Sequence, residues 1–139
     1  MKNRKKPAYK IAMHEAGHAV AALAVGFVVG NVWIDPDEEL GQTDTAWILG
    51  DGTSEDPICA GIVAWAGSVA EGVGSLNEHD AEPLQRHQFS KRSVATLRMM
   101  AAGIVKQFMP AVVAVANELV AKKTLSGAAV KRVACKACP

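Results

Sequence analysis

From Pro7 to about Val25 the apolar residues Ile11, Ala12, Ala16, Ala19, Val20 and Leu23 recur at helical spacing, which predicts a first helix, amphipathic or largely buried. Gly17 costs such a helix up to about 1 kcal/mol, so a position without a side chain there points to something packed close against the backbone. The β-branched and aromatic residues Val28, Val29, Val32, Trp33 and Ile34, bounded by Gly30-Asn31 and Asp35-Pro36-Asp37, predict a strand. A second strand is predicted over Thr43 to Leu49, where Trp47 and Ile48 precede Gly50-Asp51-Gly52, giving two or three strands of a small sheet. After the cap-like stretch Ser54-Glu55-Asp56-Pro57, Ile58 to Val73 reads as a second helix, rich in small residues and expected to be buried against the first. Gly74 to Asp80 reads as a polar loop, and Pro83 is placed to open a third helix from Leu84 to about Met109. Pro110 breaks that pattern, a helix resumes from about Ala111 to Lys123, and Leu125-Ser126-Gly127 turns into a short last helix from Ala128. The sum is an α+β domain, mostly α-helical, with a small β-sheet beside the first helix.

A length of 139 residues fits one domain spanning the chain, with a real core and no room for a second catalytic module. Half the residues are apolar and the formal charge is +1, a balance that indicates neither disorder nor an extended nucleic-acid surface. The one dense basic run, Lys2, Arg4, Lys5 and Lys6, lacks interleaved aromatics and reads as a solvated, flexible terminus over residues 1–6. The apolar run Ala19 to Val29 follows His14, Glu15 and His18 rather than the basic residues, so it does not read as a signal peptide. At about eleven residues it is well short of the roughly 20 that span a bilayer. A soluble, cytoplasmic chain with no membrane or nucleic-acid partner is the expectation. Three cysteines, Cys59, Cys135 and Cys138, are too few and too odd for a disulfide framework and fit a reducing compartment. Cys59 is expected in the core, and Cys135-Lys136-Ala137-Cys138, with no second ligand pair to complete a four-ligand zinc site, is expected to be a pair of exposed thiols.

Chemistry enters with His14-Glu15-Ala16-Gly17-His18, an H-E-x-x-H sequence inside the predicted first helix. Positions i and i+4 lie about one turn apart on one face, so both imidazoles can reach a single metal ion while Glu15 leans toward the same opening. Neutral imidazole suits zinc, and a nearby carboxylate can take a proton from water. Such a site needs one more protein ligand. Glu71, Glu78, His79, Asp80, Glu82 and His87 are the candidates beyond the second helix, and the pattern does not choose among them.

The segments His14 to Ala22, Leu40-Gly41-Gln42-Thr43 and Ala66-Gly67-Ser68-Val69-Ala70-Glu71 occur in that order, and Lys123-Thr124-Leu125-Ser126-Gly127 with Val130 follows near the end. Together they resemble the peptidase domain of the FtsH-type ATP-dependent zinc metalloproteases, which read H-E-A-G-H-A-V-V-A, A-L-G-x-T, G-G-R-A-A-E and E-T-L-x-G-x-x-V. The likeness spans nearly the whole chain, with a specific motif at the metal helix and weaker ones elsewhere. It implies a zincin-like fold, Zn2+ as cofactor, and a third ligand from an aspartate in the loop after G-G-R-A-A-E. Asp80 best matches that position, with Glu82 and His79 as alternatives because the loop here is shorter. Glu71 is expected to hydrogen-bond a metal-bound histidine or to pack between helices rather than to bind metal. No G-x-x-x-x-G-K-[ST] phosphate loop occurs in the chain, so the expectation is a free-standing peptidase domain working without an ATPase of its own.

Zinc on His14, His18 and Asp80 with Glu15 as general base implies a zinc metalloendopeptidase acting on peptides or unfolded protein. The strand around Leu40 to Ala46 is then its substrate edge. A separate ATPase and further copies of the chain are the partners the resemblance brings into view. The alternative reading is a non-catalytic metal-binding module that recognises unfolded segments or a partner protein.

Overall fold

The computed structural model describes residues 7–46 and 56–138. Helix α1 (Ala8–Val25) is buried without interruption from Ile11 to Ala22, so its amphipathic spacing is submerged within a fully enclosed middle. It ends where Gly26 takes the left-handed conformation at φ 92° and returns its N–H to the carbonyls of Ala22 and Leu23, a closure that glycine makes without steric cost. Strand β1 (Val28–Asp35) and strand β2 (Leu40–Ala46) form an antiparallel hairpin, and strand β3 (Thr124–Leu125) pairs antiparallel with the other side of β1. The order is β2-β1-β3, which leaves β2 at an edge among the described residues.

The register contains a correction of phase. Val29 and Val32 are three apart, yet both are buried, and the pairing shifts between them: Val29 faces Thr45 and Val32 faces Thr43. One extra residue on β1 absorbs the odd spacing, so Val29, Val32 and Ile34 all reach the core. The second strand thus runs from Leu40 rather than Thr43, because its pairing with Asp35 begins directly after the Pro36–Glu39 turn. Of the expected strand beyond it, Trp47 to Leu49 lie outside the described residues, as do Ser54, Glu55 and the basic terminus.

Helix α2 (Pro57–Glu71) starts on Asp56, whose carboxylate accepts from the N–H groups of Ile58 and Cys59, with Pro57 in the first turn. Residues Ala60 to Ser68 are all buried, against α1 on one side and α4 on the other. A Cβ on Gly17 would stand 2.5 Å from the carbonyl oxygen of Ala66 and 2.6 Å from the Cβ of Ala70, which identifies α2 as what packs against that backbone.

The long third helix expected over Leu84–Met109 is two helices, α3 (Glu78–Arg86) and α4 (Lys91–Gln107). Each has its own start signal: Asn77 Oδ1 accepts from the Asp80 N–H at 2.8 Å, and Ser90 Oγ accepts from the Ser93 N–H at 3.1 Å. Gln88 turns the chain between them at φ 56°. Pro83 therefore lies inside α3 rather than at a helix start, and the expected loop closes earlier, at Asn77. Helix α4 meets α5 (Met109–Lys122) at a bend of 79°, and no single helix among the described residues is long and apolar enough to cross a membrane. Helix α5 packs on α1, and α6 (Gly127–Ala137) packs on α5 and β1. The stretch read as a turn at Leu125 is the short β3, with Ser126 capping α6 through the Ala129 N–H. Cys59 is half-buried, Cys135 is exposed and Cys138 is half-buried, so only Cys135 is an exposed thiol. Burial, then the charge of Asp56, pushes the Cys59 thiol up from its ordinary pKa.

Overfilling a packed contact costs about 1–3 kcal/mol, more than the up to about 1 kcal/mol that alanine gains over glycine in a helix. Gly17→Ala is therefore expected to lower the stability of the domain, read as a lower urea midpoint with unchanged slope. A variant as stable as the parent would mean that α1 and α2 part at little cost.

Candidate metal centre

Helix α1 presents His14 and His18 one turn apart, with ring centroids 4.7 Å apart and planes at 79°. Helix α3 supplies the third group. Asp80 Oδ2 lies 2.8 Å from His14 Nε2, and Asp80 Oδ1 lies 3.3 Å from His18 Nε2. The two Nε2 atoms are 3.1 Å apart. All three side chains are buried, and one donor atom from each lies within 4.8 Å of the others.

The far side of each ring is held by α2. His14 Nδ1 is 2.9 Å from Glu71 Oε1 and His18 Nδ1 is 2.6 Å from the Val63 carbonyl. The Val63 carbonyl can only accept, which places a proton on His18 Nδ1, whereas His14 lies between two carboxylates, Glu71 at Nδ1 and Asp80 at Nε2. With Nδ1 carrying the proton on both rings, each Nε2 would turn a lone pair toward the other and toward the Asp80 carboxylate. In that state three acceptors converge on one buried point, which calls for a proton or a cation.

The titration behaviour follows from that crowding. Burial opposes a charge on His18, but the hydrogen bond and charge of Asp80, the charge of Glu15 and the Val63 carbonyl outweigh it, so the His18 pKa is raised. Burial also opposes the charge on Asp80, and there the hydrogen bonds from His14 and His18, with their charges, hold the carboxyl well below the usual range. Two imidazole nitrogens and one carboxylate oxygen are a donor set that suits zinc, and the outer hydrogen bonds are of the kind that fix ligating imidazoles. The group fits these residues, and protons would compete with it for them.

Glu15 lies beside this centre and is held from β2. Thr43 Oγ1 is 2.8 Å from Glu15 Oε1 and 3.0 Å from the Glu15 carbonyl oxygen. A Cβ on Gly41 would come within 2.7 Å of Glu15 Cγ, so the strand approaches closely enough to fix the carboxylate. Gly67 does the same for the rings: a Cβ there would meet His18 Cε1 at 2.6 Å and His14 Nε2 at 2.8 Å. A cavity of about 670 Å³ opens onto His14, Glu15, His18 and Asp80, bounded by β2 on one side and α3 on the other.

Of the remaining ligand candidates, Glu82 pairs with Arg86 at 2.9 Å on the α3 surface, and His87 stacks edge-on with Phe89. His79 and Glu78 line the cavity at exposed positions without entering the cluster. The roles of Thr43, Gly41, Gly67 and the Val63 carbonyl were not legible in sequence. The available signal was the presence of Gly41 and Gly67 within otherwise regular elements, where a missing side chain implies a close neighbour. The chain matches no model of a known protein family and no curated protein.

Asp80→Asn is expected to abolish stoichiometric zinc binding, because a neutral amide is a much poorer donor than a carboxylate. Glu71→Gln should weaken zinc binding by about 10–100-fold, Gly67→Ala should weaken it by crowding both rings, and Glu82→Gln should leave it unchanged. Competition with a chelating dye measures all four. Zinc held by Asp80→Asn at parental affinity would remove Asp80 from the ligand set.

Proposed function

We propose that the chain is a zinc-dependent metallopeptidase with an FtsH-like peptidase domain, hydrolysing peptide bonds of unfolded or peptide substrates without an ATPase domain of its own. The observation that carries this reading is the convergence of His14, His18 and Asp80 from two helices, with Glu15 fixed beside them at the floor of an open cavity. The resemblance of the segments around His14, Leu40, Ala66 and Lys123 to that family supports the same reading.

His14, His18 and Asp80 would hold the zinc. Bound there, it would supply Lewis acidity, lowering the proton affinity of water and polarising a substrate carbonyl. The chain's own residues do the rest. Glu71 and the Val63 carbonyl keep the two Nε2 lone pairs turned inward. Thr43 occupies Glu15 Oε1, leaving Oε2 to take a proton from water as its oxygen bonds to the peptide carbon. When the C–N bond breaks, Glu15 returns that proton to the leaving amine. Strand β2, an edge strand among the described residues, gives an extended peptide a strand to pair with alongside the cavity.

Glu15→Gln keeps the shape and the Thr43 contact but cannot accept the proton. It is expected to bind zinc at parental affinity while cutting hydrolysis of unfolded casein by about 10²–10⁴-fold, and a chelator should stop the parent enzyme. Zinc-loaded parent protein that binds casein without cutting it would replace the enzyme with a metal-dependent binding module.

A further inference from the structure

Hydrolysis of a peptide bond moves charge onto the carbonyl oxygen as well as through the base. As the water oxygen bonds to the peptide carbon, its proton passes to Glu15 and the carbonyl electron pair shifts onto the carbonyl oxygen. That oxygen stays an oxyanion until the pair returns, the C–N bond breaks and the amine takes the proton from Glu15. Donors fixed in advance around such an oxygen contribute strongly to catalysis, because nothing has to reorganise when the charge appears. Besides a cation held by His14, His18 and Asp80, the cavity wall can supply such a donor.

On the β2 side the donors are committed or distant. Gln42 Nε2 donates to Asp44 Oδ1 at 2.7 Å, and Thr43 Oγ1 is taken up by Glu15. Thr45 stands two residues beyond Thr43, away from the Gly41 end where the strand meets Glu15. On the α3 side, Asn77 is turned to the Asp80 N–H as the helix cap. His79 differs from all of these. It lines the cavity at an exposed position, and its imidazole has no hydrogen-bond, ion-pair or ring partner among the described residues. It directly precedes Asp80, whose carboxylate reaches the Nε2 atoms of both His14 and His18. Consecutive Cα atoms are about 3.8 Å apart, so the ring springs from beside the cluster, on a helical turn that the Asn77 cap fixes. A neutral imidazole carries one N–H in either tautomer and can donate without changing its protonation. We infer that His79 is a catalytic residue, donating a hydrogen bond to the oxyanion from the α3 wall, opposite the β2 wall that holds Glu15. The inference rests on the peptidase reading and adds an oxyanion donor to it. His79 keeps its own proton throughout.

The test uses zinc-loaded His79→Ala and His79→Gln proteins, with zinc affinity checked by dye competition and expected to equal that of the parent. One readout is kcat and KM on a fluorogenic peptide spanning a casein cut. The other, independent of turnover, is anisotropy with a fluorescent copy of that peptide in which a phosphinate replaces the scissile amide and so presents a tetrahedral oxyanion. His79→Ala should lower kcat by on the order of 10²-fold at unchanged KM, and weaken the phosphinic peptide by a similar factor, the pattern of an interaction made only in the transition state. His79→Gln keeps an N–H donor of similar reach and should recover most of both losses. Unchanged phosphinic-peptide affinity in His79→Ala, a loss confined to KM, a glutamine variant no better than alanine, or loss of zinc would each overturn the role of His79. Casein cleavage by the parent protein reports on the peptidase reading separately. A parent that does not cut overturns that reading and this role with it, whereas a parent that cuts beside an unimpaired His79→Ala overturns the role alone.

Discussion

The close approach of α1 to α2 is the contact on which the rest of the structure depends. Helices with ordinary side chains at their contact pack about 8–10 Å apart, and here each helix removes a side chain at the crossing. Gly17 on α1 lets the Ala66 carbonyl and Ala70 come up to its backbone, and Gly67 on α2 leaves room for both imidazoles of α1. The two glycines act reciprocally. With them in place α2 comes near enough for the Val63 carbonyl to reach His18 Nδ1 and for Glu71 to reach His14 Nδ1. The orientation of the rings is therefore set by α2, although α1 carries them.

Opposite α2, the cavity wall is built by β2 and α3, and both depend on local chemistry that is easy to overlook in the chain. The bulge in β1 restores the phase that brings Val32 opposite Thr43, and Thr43 in turn grips Glu15. The Asn77 cap starts α3 early enough that Asp80 falls in its first turn, facing α1 rather than lying in a loop. A cap and a bulge, each involving one or two residues, thus aim the two carboxylates that matter most.

The helices were legible where their pattern is long: α1, α2 and α5 follow from apolar spacing and from proline and glycine at their ends. What the chain concealed was local. Ser90 resembles any polar residue until its hydroxyl is seen to cap α4, so α3 and α4 read as one helix with Pro83 at its head. Strand β3 has two residues and exists because β1 offers it a free edge, a tertiary fact with no periodicity of its own. In the site, His14, Glu15 and His18 announce themselves by spacing. Asp80 did not stand out from Glu78, His79 and Glu82 by residue type, and only resemblance singled it out. Which of the four reaches the imidazoles is decided by where Asn77 begins the helix.

The arrangement also carries a cost that bears on its purpose. Glu15 and Asp80 are buried, as is the carboxylate-bearing side chain of Glu71 at 4% exposure, and two imidazoles are enclosed with them in the most deeply buried helix of the domain. Apolar residues of similar volume would commonly be neutral or stabilising by 1–4 kcal/mol at about such positions, so packing does not account for their presence. Nor does a proton reconcile them fully. On His18 Nε2 it can point at the Asp80 carboxylate or at His14 Nε2, and whichever it leaves is still an acceptor facing an acceptor. A cation attracts both imidazole lone pairs and the carboxylate at once, because its field has no direction. That difference supports a metal ion as the group around which these side chains are arranged. It also gives Glu71 and the Val63 carbonyl a physical reason to hold the Nδ1 protons on the far side of both rings.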